Sequence, residues 1–219
     1  MNRRTVALLV LAAGCSKVPS VKQGEPPPVP PGPEQVAAGP VGGAELLPDP
    51  LRGRHRMDID QLSQSIRVVT GGIGWTEQQG GVEVDLFQQL SRTLGKPDYL
   101  ELTTEDLTPS LLFQKFLDYA ARSVCDRLVE RELSSAPEAR VLMVHAGPTD
   151  RLDDAAARIE ENLVMLLLRY HGRPVQAGSE ELNPWMWLFE STLHTSDDPV
   201  AAWRAVCVGL MTHPDFYSY

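Results

Sequence analysis

The chain has only three cysteines among 219 residues, Cys15, Cys125 and Cys207, and no two of them form a Cys-x-x-Cys pair. That spacing excludes thioredoxin-type redox motifs, covalent haem attachment and four-cysteine zinc sites. The sequence also lacks His-Glu-x-x-His, Gly-x-Ser-x-Gly and the phosphate-cradling Gly-x-x-x-x-Gly-Lys. The usual signatures of zinc proteases, serine hydrolases and nucleotide-binding loops are therefore missing. Positive charge is scarce, with 20 Lys and Arg against 29 Asp and Glu, a net charge of -9. Binding duplex nucleic acid needs cations to neutralise phosphates, so no nucleic-acid partner is expected. No apolar run approaches the roughly 20 residues that cross a bilayer.

What is present begins at the first residues. Arg3 and Arg4 precede an uncharged, mostly apolar run from Thr5 to Gly14, the layout of a secretory signal over residues 1–14. The small residues Ala12, Ala13 and Gly14 stand directly before Cys15. Ala12-Ala13-Gly14-Cys15 resembles the lipobox of bacterial lipoproteins. The resemblance implies cleavage before Cys15, a diacylglycerol thioether on its sulfur and a membrane partner through that lipid. Multiple acyl chains, at about 0.8 kcal/mol per buried CH₂, hold a protein on a bilayer nearly permanently. Ser16 rather than Asp follows the cysteine. In the enteric members of that group this implies sorting to the outer membrane, so a lipid-anchored place in the cell envelope is expected.

Residues 15–54 read as a disordered tether. Ten of the eighteen prolines fall between Cys15 and Pro50, with five glycines and no aromatic residue. Such a composition cannot bury enough apolar surface to offset its ordering entropy. The run Pro26-Pro27-Pro28-Val29-Pro30-Pro31 favours polyproline II. A tether of this length spans between about 35 Å as a coil and about 110 Å fully extended. Arg52, Arg54, His55 and Arg56 close it as a small basic cluster, read as a solvated junction.

Residues 55–219 read as an all-α domain, irregular and orthogonal, of about six helices. Ile59, Leu62, Ile66 and Val69 share one helical face, with Asp58 or Asp60 to cap it and Gly71-Gly72 to end it. After the flexible Gln78-Gln79-Gly80-Gly81, Leu86, Leu90 and Leu94 predict a second helix, stopped at Gly95. Thr108-Pro109, Asn183-Pro184 and Asp198-Pro199 each place a capping side chain before a proline, a helix start signal. The first opens the longest helix, to about Leu133, with a stripe of Phe113, Leu117, Ala120, Val124 and Leu128. Val141 to Val144 reads as extended, with no partner strand in sight. Arg151 to His171 predicts a long helix, its stripe Ala156, Ile159, Leu163, Leu166, Leu167 and Tyr170. Trp185, Leu188 and Phe189 mark the fifth helix. Val200, Trp203, Cys207, Leu210 and Met211 mark the last, which ends before Pro214.

Two further stretches carry a resemblance. Arg169-Tyr170-His171-Gly172-Arg173-Pro174 and Ala205 to Phe216 together resemble the C-terminal helical region of secreted cytochrome-like proteins of planctomycetes and myxobacteria. That implies a helical fold and an envelope location. Covalent haem does not carry over, because the attachment motif is missing, and no cofactor is expected.

The remaining chemistry is sparse. His194 is followed by Asp197 and Asp198, a metal-like corner, although Asp198 also serves as a helix cap; His213 and Asp215 could pair. Glu101, Glu105 and Asp106 form an acidic loop, read as solvated surface. No catalytic or metal residues are assigned. Trp185 and Trp187, two apart on one helix, cannot share a face. One can pack inward while the other is left as a binding anchor, or both can be covered by loops. Cys125 and Cys207 lie on apolar helix faces, as a disulfide of an oxidising compartment or as two buried thiols. These features favour a non-catalytic lipoprotein that binds or positions another envelope protein. The alternatives are an accessory or redox-associated component of a secreted enzyme system, or an enzyme with an unrecognised His/carboxylate site.

Overall fold

The computed structural model describes residues 55–93, 96, 107 and 110–219. The expected signal, the lipobox with Cys15, the tether, Thr108-Pro109 and the acidic loop of Glu101, Glu105 and Asp106 lie outside the described residues. Among those described, the fold is mostly helical.

Helix α1 (Ile59–Val69) starts at Asp58, whose carboxylate accepts the N–H of Gln61 while the Gln61 side chain accepts the N–H of Asp58. This reciprocal cap satisfies two otherwise unpaired N-terminal donors. The helix buries Ile59, Leu62, Ile66 and Val69, the face that the 3-4-3 spacing predicts. Gly71, at φ 64, turns the chain away. The last carbonyls of α1 and the turn after it are capped from other helices: Arg169 Nε donates to Val69 O at 2.8 Å, and Arg131 donates to Thr70 O and Gly71 O at 2.6 and 3.0 Å.

The next stretch departs from the sequence reading. Residues Gln78 and Gln79 are in strand β1 (Thr76–Gln79), which pairs antiparallel with β2 (Val82–Asp85) around Gly80-Gly81. Both glycines have positive φ, 61° and 84°, as the tightest hairpin turns require. The alternation Val82-Glu83-Val84 is too short to stand out against the helical pattern around it. The expected second helix shrinks to one turn, α2 (Leu86–Gln89), capped by Asp85, and stops at Leu90. Leu94 and Gly95 lie outside the described residues. The hairpin is fixed from outside: Arg127 donates to Gly74 O at 3.1 Å and to the Thr76 hydroxyl, and Arg67 pairs with Asp85 at 2.6 Å. Trp75 packs edge-on against Phe87 beneath it.

Helix α3 (Leu111–Ser134) is the longest. Its cap is Ser110, whose hydroxyl accepts the N–H of Phe113, so the helix begins one dipeptide later than Thr108-Pro109 suggests. It buries Phe113, Leu117, Ala120, Ala121, Val124, Cys125 and Leu128. Helix α4 (Leu152–His171) buries Ile159, Leu163, Leu166, Leu167 and Tyr170, but its first inward residue is Ala155, not Ala156. Ala155 stands four residues before Ile159 and so shares its face, although its own backbone is non-helical at φ -134°. Helix α5 (Asn183–Ser196) has Pro184 in its first turn, but Asn183 caps nothing; a 3₁₀ turn, Glu180–Leu182, runs directly into it. Asp198 does cap α6 (Pro199–Thr212), accepting from Val200 N–H at 2.9 Å. One further turn, α7 (Pro214–Tyr217), gives seven helices among the described residues where about six were expected.

Helix α6 is the hub, packing against both α3 and α5. Cys125 of α3 and Cys207 of α6 are joined by a disulfide, with Cα atoms 5.9 Å apart. Side chains of α5 press onto α6 at Gly209, where a Cβ would meet the Leu188 side chain at 3.1 Å and the Trp185 ring at 3.3 Å.

The segment Val141–Val144, expected to be extended, instead bends at every residue, because two side chains gather N–H groups that an extended chain would point to opposite sides. The buried Glu132 carboxylate at the end of α3 accepts the N–H groups of Val141, Leu142 and Met143 at 2.6, 2.6 and 2.8 Å. Asn162 of α4 accepts from Val144 and His145 and donates to Leu142 O.

Residues 55–57 pair with 217–219. His55 and Tyr219 exchange both backbone hydrogen bonds at 3.0 Å, and Met57 N–H donates to Tyr217 O. Arg56 is 1% exposed, its guanidinium 4.8 Å over the Phe113 ring. It therefore belongs to the core and not to a solvated basic junction. Arg52 and Arg54 lie outside the described residues.

Candidate functional site

Four elements converge where α4 ends. His171 occupies the last turn of α4, before Gly172 reverses the chain in the left-handed region (φ 65°) and presents Arg173. His213 is both the C-cap of α6 and the N-cap of α7: its Nδ1 accepts the Asp215 N–H at 3.2 Å. Trp185, from the first turn of α5, seats against Gly209. The two imidazoles stack at 4.8 Å between centroids, and the Trp185 ring lies 5.5 Å from His171 and 5.8 Å from His213.

The electrostatics of this corner follow from burial. His171 is half-buried, and desolvation holds its pKa below the ordinary imidazole value, with the neighbouring His213 acting in the same direction. Its Nε2 faces Leu210 O at 3.0 Å. A carbonyl only accepts, so the proton of the neutral ring sits on Nε2 and Nδ1 carries the lone pair. Arg173 pairs with Asp215 at 3.1 Å and approaches Glu181 at 3.6 Å. Deeper in, the Tyr170 hydroxyl is buried without a hydrogen-bond partner among the described residues, and burial raises its pKa above the usual phenol range.

Two clefts meet along Arg173 and His213. One, about 690 Å³, is lined by His171, Arg173, His213, Asp215, Ser218 and Tyr219. The other, about 550 Å³, is mainly apolar and runs along Pro184, Trp185, Trp187, Leu188 and Gly209. The two tryptophans take different roles, as residues two apart on a helix must. Trp185 is half-buried, whereas Trp187 is 67% exposed. Trp187 also borders a third cleft, about 610 Å³, with Arg151, Glu190, His194 and Asp197.

The metal-like corner at His194 is not assembled. Asp197 pairs with Arg151 at 2.8 Å, Asp198 is occupied as the α6 cap, and His194 is exposed. His213 and Asp215 do come together, their side chains 3.8 Å apart. Sequence reasoning did not pair them with His171, because α4 and α6 meet only in the folded chain. Arg173 and Gly209 were also missed as site residues. The one available signal was their place inside Gly172-Arg173-Pro174 and Val208-Gly209-Leu210.

No protein-family model matches the chain, and comparisons with curated proteins and with solved structures find no match.

Proposed function

We propose that this chain is a lipid-anchored protein of the bacterial envelope, held through Cys15 and directed to the outer membrane, whose helical domain binds or positions another envelope protein. The observation that carries the binding role is Trp187. A tryptophan left 67% exposed, bordering two clefts and rimmed by Arg173, Glu181 and Glu190, has the composition of an interface anchor. Large rigid aromatics of this kind concentrate binding energy when a partner desolvates them.

The test is site-specific photocrosslinking in intact membranes. A photoreactive residue at position 187 is expected to give one discrete adduct, whereas the same residue at exposed Glu130 on α3 gives none. No adduct at 187, or equal adducts at both positions, would defeat the binding role.

The anchor has its own prediction. Cys15→Ala is expected to abolish acyl mass and shift the protein out of the detergent phase. A wild-type chain without acyl mass, partitioning like the variant, would overturn the lipoprotein reading.

A further inference from the structure

His171, His213 and Asp215 come from the end of α4, the α6–α7 junction and α7, and one ligand atom from each lies within 4.8 Å of the others. We propose that these three side chains bind a divalent transition-metal ion of the zinc class, through two imidazole nitrogens and one carboxylate oxygen, with a remaining position open to the cleft. Two nitrogen donors and one oxygen donor suit Zn²⁺, which commonly takes three protein ligands plus an exchangeable fourth.

The hydrogen bonds around the cluster point the same way. His171 donates Nε2–H to Leu210 O, which leaves the Nδ1 lone pair as the ligand. A ring nitrogen donating to a backbone carbonyl is the arrangement that fixes tautomer and orientation in metal-binding histidines. In His213, Nδ1 accepts the Asp215 N–H, so it too carries a lone pair. That lone pair stands 3.8 Å from Asp215 Oδ2. Each already takes one donor, the Asp215 N–H at Nδ1 and the Arg173 guanidinium at Oδ2, so a bound ion displaces both.

Arg173 is the competitor, since it pairs with Asp215 at 3.1 Å. It has a second carboxylate in Glu181 at 3.6 Å, so it can release Asp215 without losing all of its compensation. Metal binding here exchanges one cation for another at Asp215. It also trades the His213 cap bond of α7 for a metal bond, which couples the ion to the pairing of residues 217–219.

Zinc ion alone, titrated into the full-length, untagged chain in detergent, tests the site, with calorimetry and tryptophan fluorescence as readouts because Trp185 touches both rings. Co²⁺ absorption supplies the coordination signature. Saturable binding at a single equivalent is expected. Asp215→Asn and His213→Ala should each weaken it at least about tenfold. Arg173→Ala should tighten it, an outcome that damage to the fold cannot produce. Wild-type chain that takes up no zinc, or Asp215→Asn and His213→Ala variants that bind as wild type does, would overturn the proposal.

Discussion

Replacing Cys125 and Cys207 together with alanine is expected to lower the unfolding free energy by about 4 kcal/mol. The bond links positions 82 apart in sequence. On the chain-entropy account, releasing a loop of that length from the unfolded ensemble costs about 4.5 kcal/mol. Both residues are fully buried, Cys125 among Ala121, Val124 and Leu128, and Cys207 among Trp203, Val206 and Leu210. The alanines therefore add a small loss of packing. Against a typical total of about 5–15 kcal/mol, this is roughly a quarter or more of the stability. Urea unfolding followed by circular dichroism gives the difference. Peptide mass spectrometry of unreduced, alkylated protein checks the premise. Alkylated Cys125 and Cys207 peptides, or an unchanged urea midpoint in the double variant, would contradict it.

Glu132→Ala is expected to cost about 3 kcal/mol or more. The carboxylate is 1% exposed and accepts three successive backbone N–H groups within 2.8 Å. Such a concave run of amides is an anion cradle, and charge-assisted bonds of this length are among the stronger ones. Without the side chain, three buried donors lose their acceptor, at about 1–3 kcal/mol each before water or local movement compensates. Glu132→Gln should be milder, since one oxygen survives while the amide NH₂ meets a donor. The loss should also be local: hydrogen exchange at Val141, Leu142 and Met143 should accelerate far more than at Leu117 or Val124. Uniform acceleration would mean that Glu132 holds the whole core and not this segment.

These two features show where the sequence could and could not be read. The faces of α1, α3 and α4 were legible because one helix turn repeats its own pattern, and Ile59, Leu117 and Leu163 announce burial without reference to anything distant. Val141–Val144 reads as extended from its apolar run, but the chain bends at each of these residues around the Glu132 carboxylate. Sheet ladders are sought among apolar stretches, and here the partners are a glutamate and an asparagine on two helices. The hairpin failed for a different reason: strands of four residues with mostly exposed side chains leave no hydrophobic signature, and only Gly80-Gly81 marked it. Trp185 and Trp187 could be separated by helical geometry alone. The His171–His213 stack depends on how α4 meets α6, and the close approach of α5 to α6 at Gly209 depends on a side chain that is missing. The glycine itself is the one local trace of either.

The pairing of residues 55–57 with 217–219 has a mechanical consequence. A pull arriving from the residues before His55 reaches the fold first at this clasp. Its hydrogen bonds lie across the strand direction, so tension drawn along residues 55–57 loads the His55–Tyr219 pair and the Met57–Tyr217 bond in shear, together and not one after another. Arg56, buried over Phe113, resists the same slide. The Asp58 cap and α1 are thereby shielded, much as a cable clamp shields the joint behind it. Deleting only Ser218 and Tyr219 would keep the buried Tyr217 against Phe113 but remove the His55–Tyr219 pair, so each tug would pass sooner to the first turn of α1.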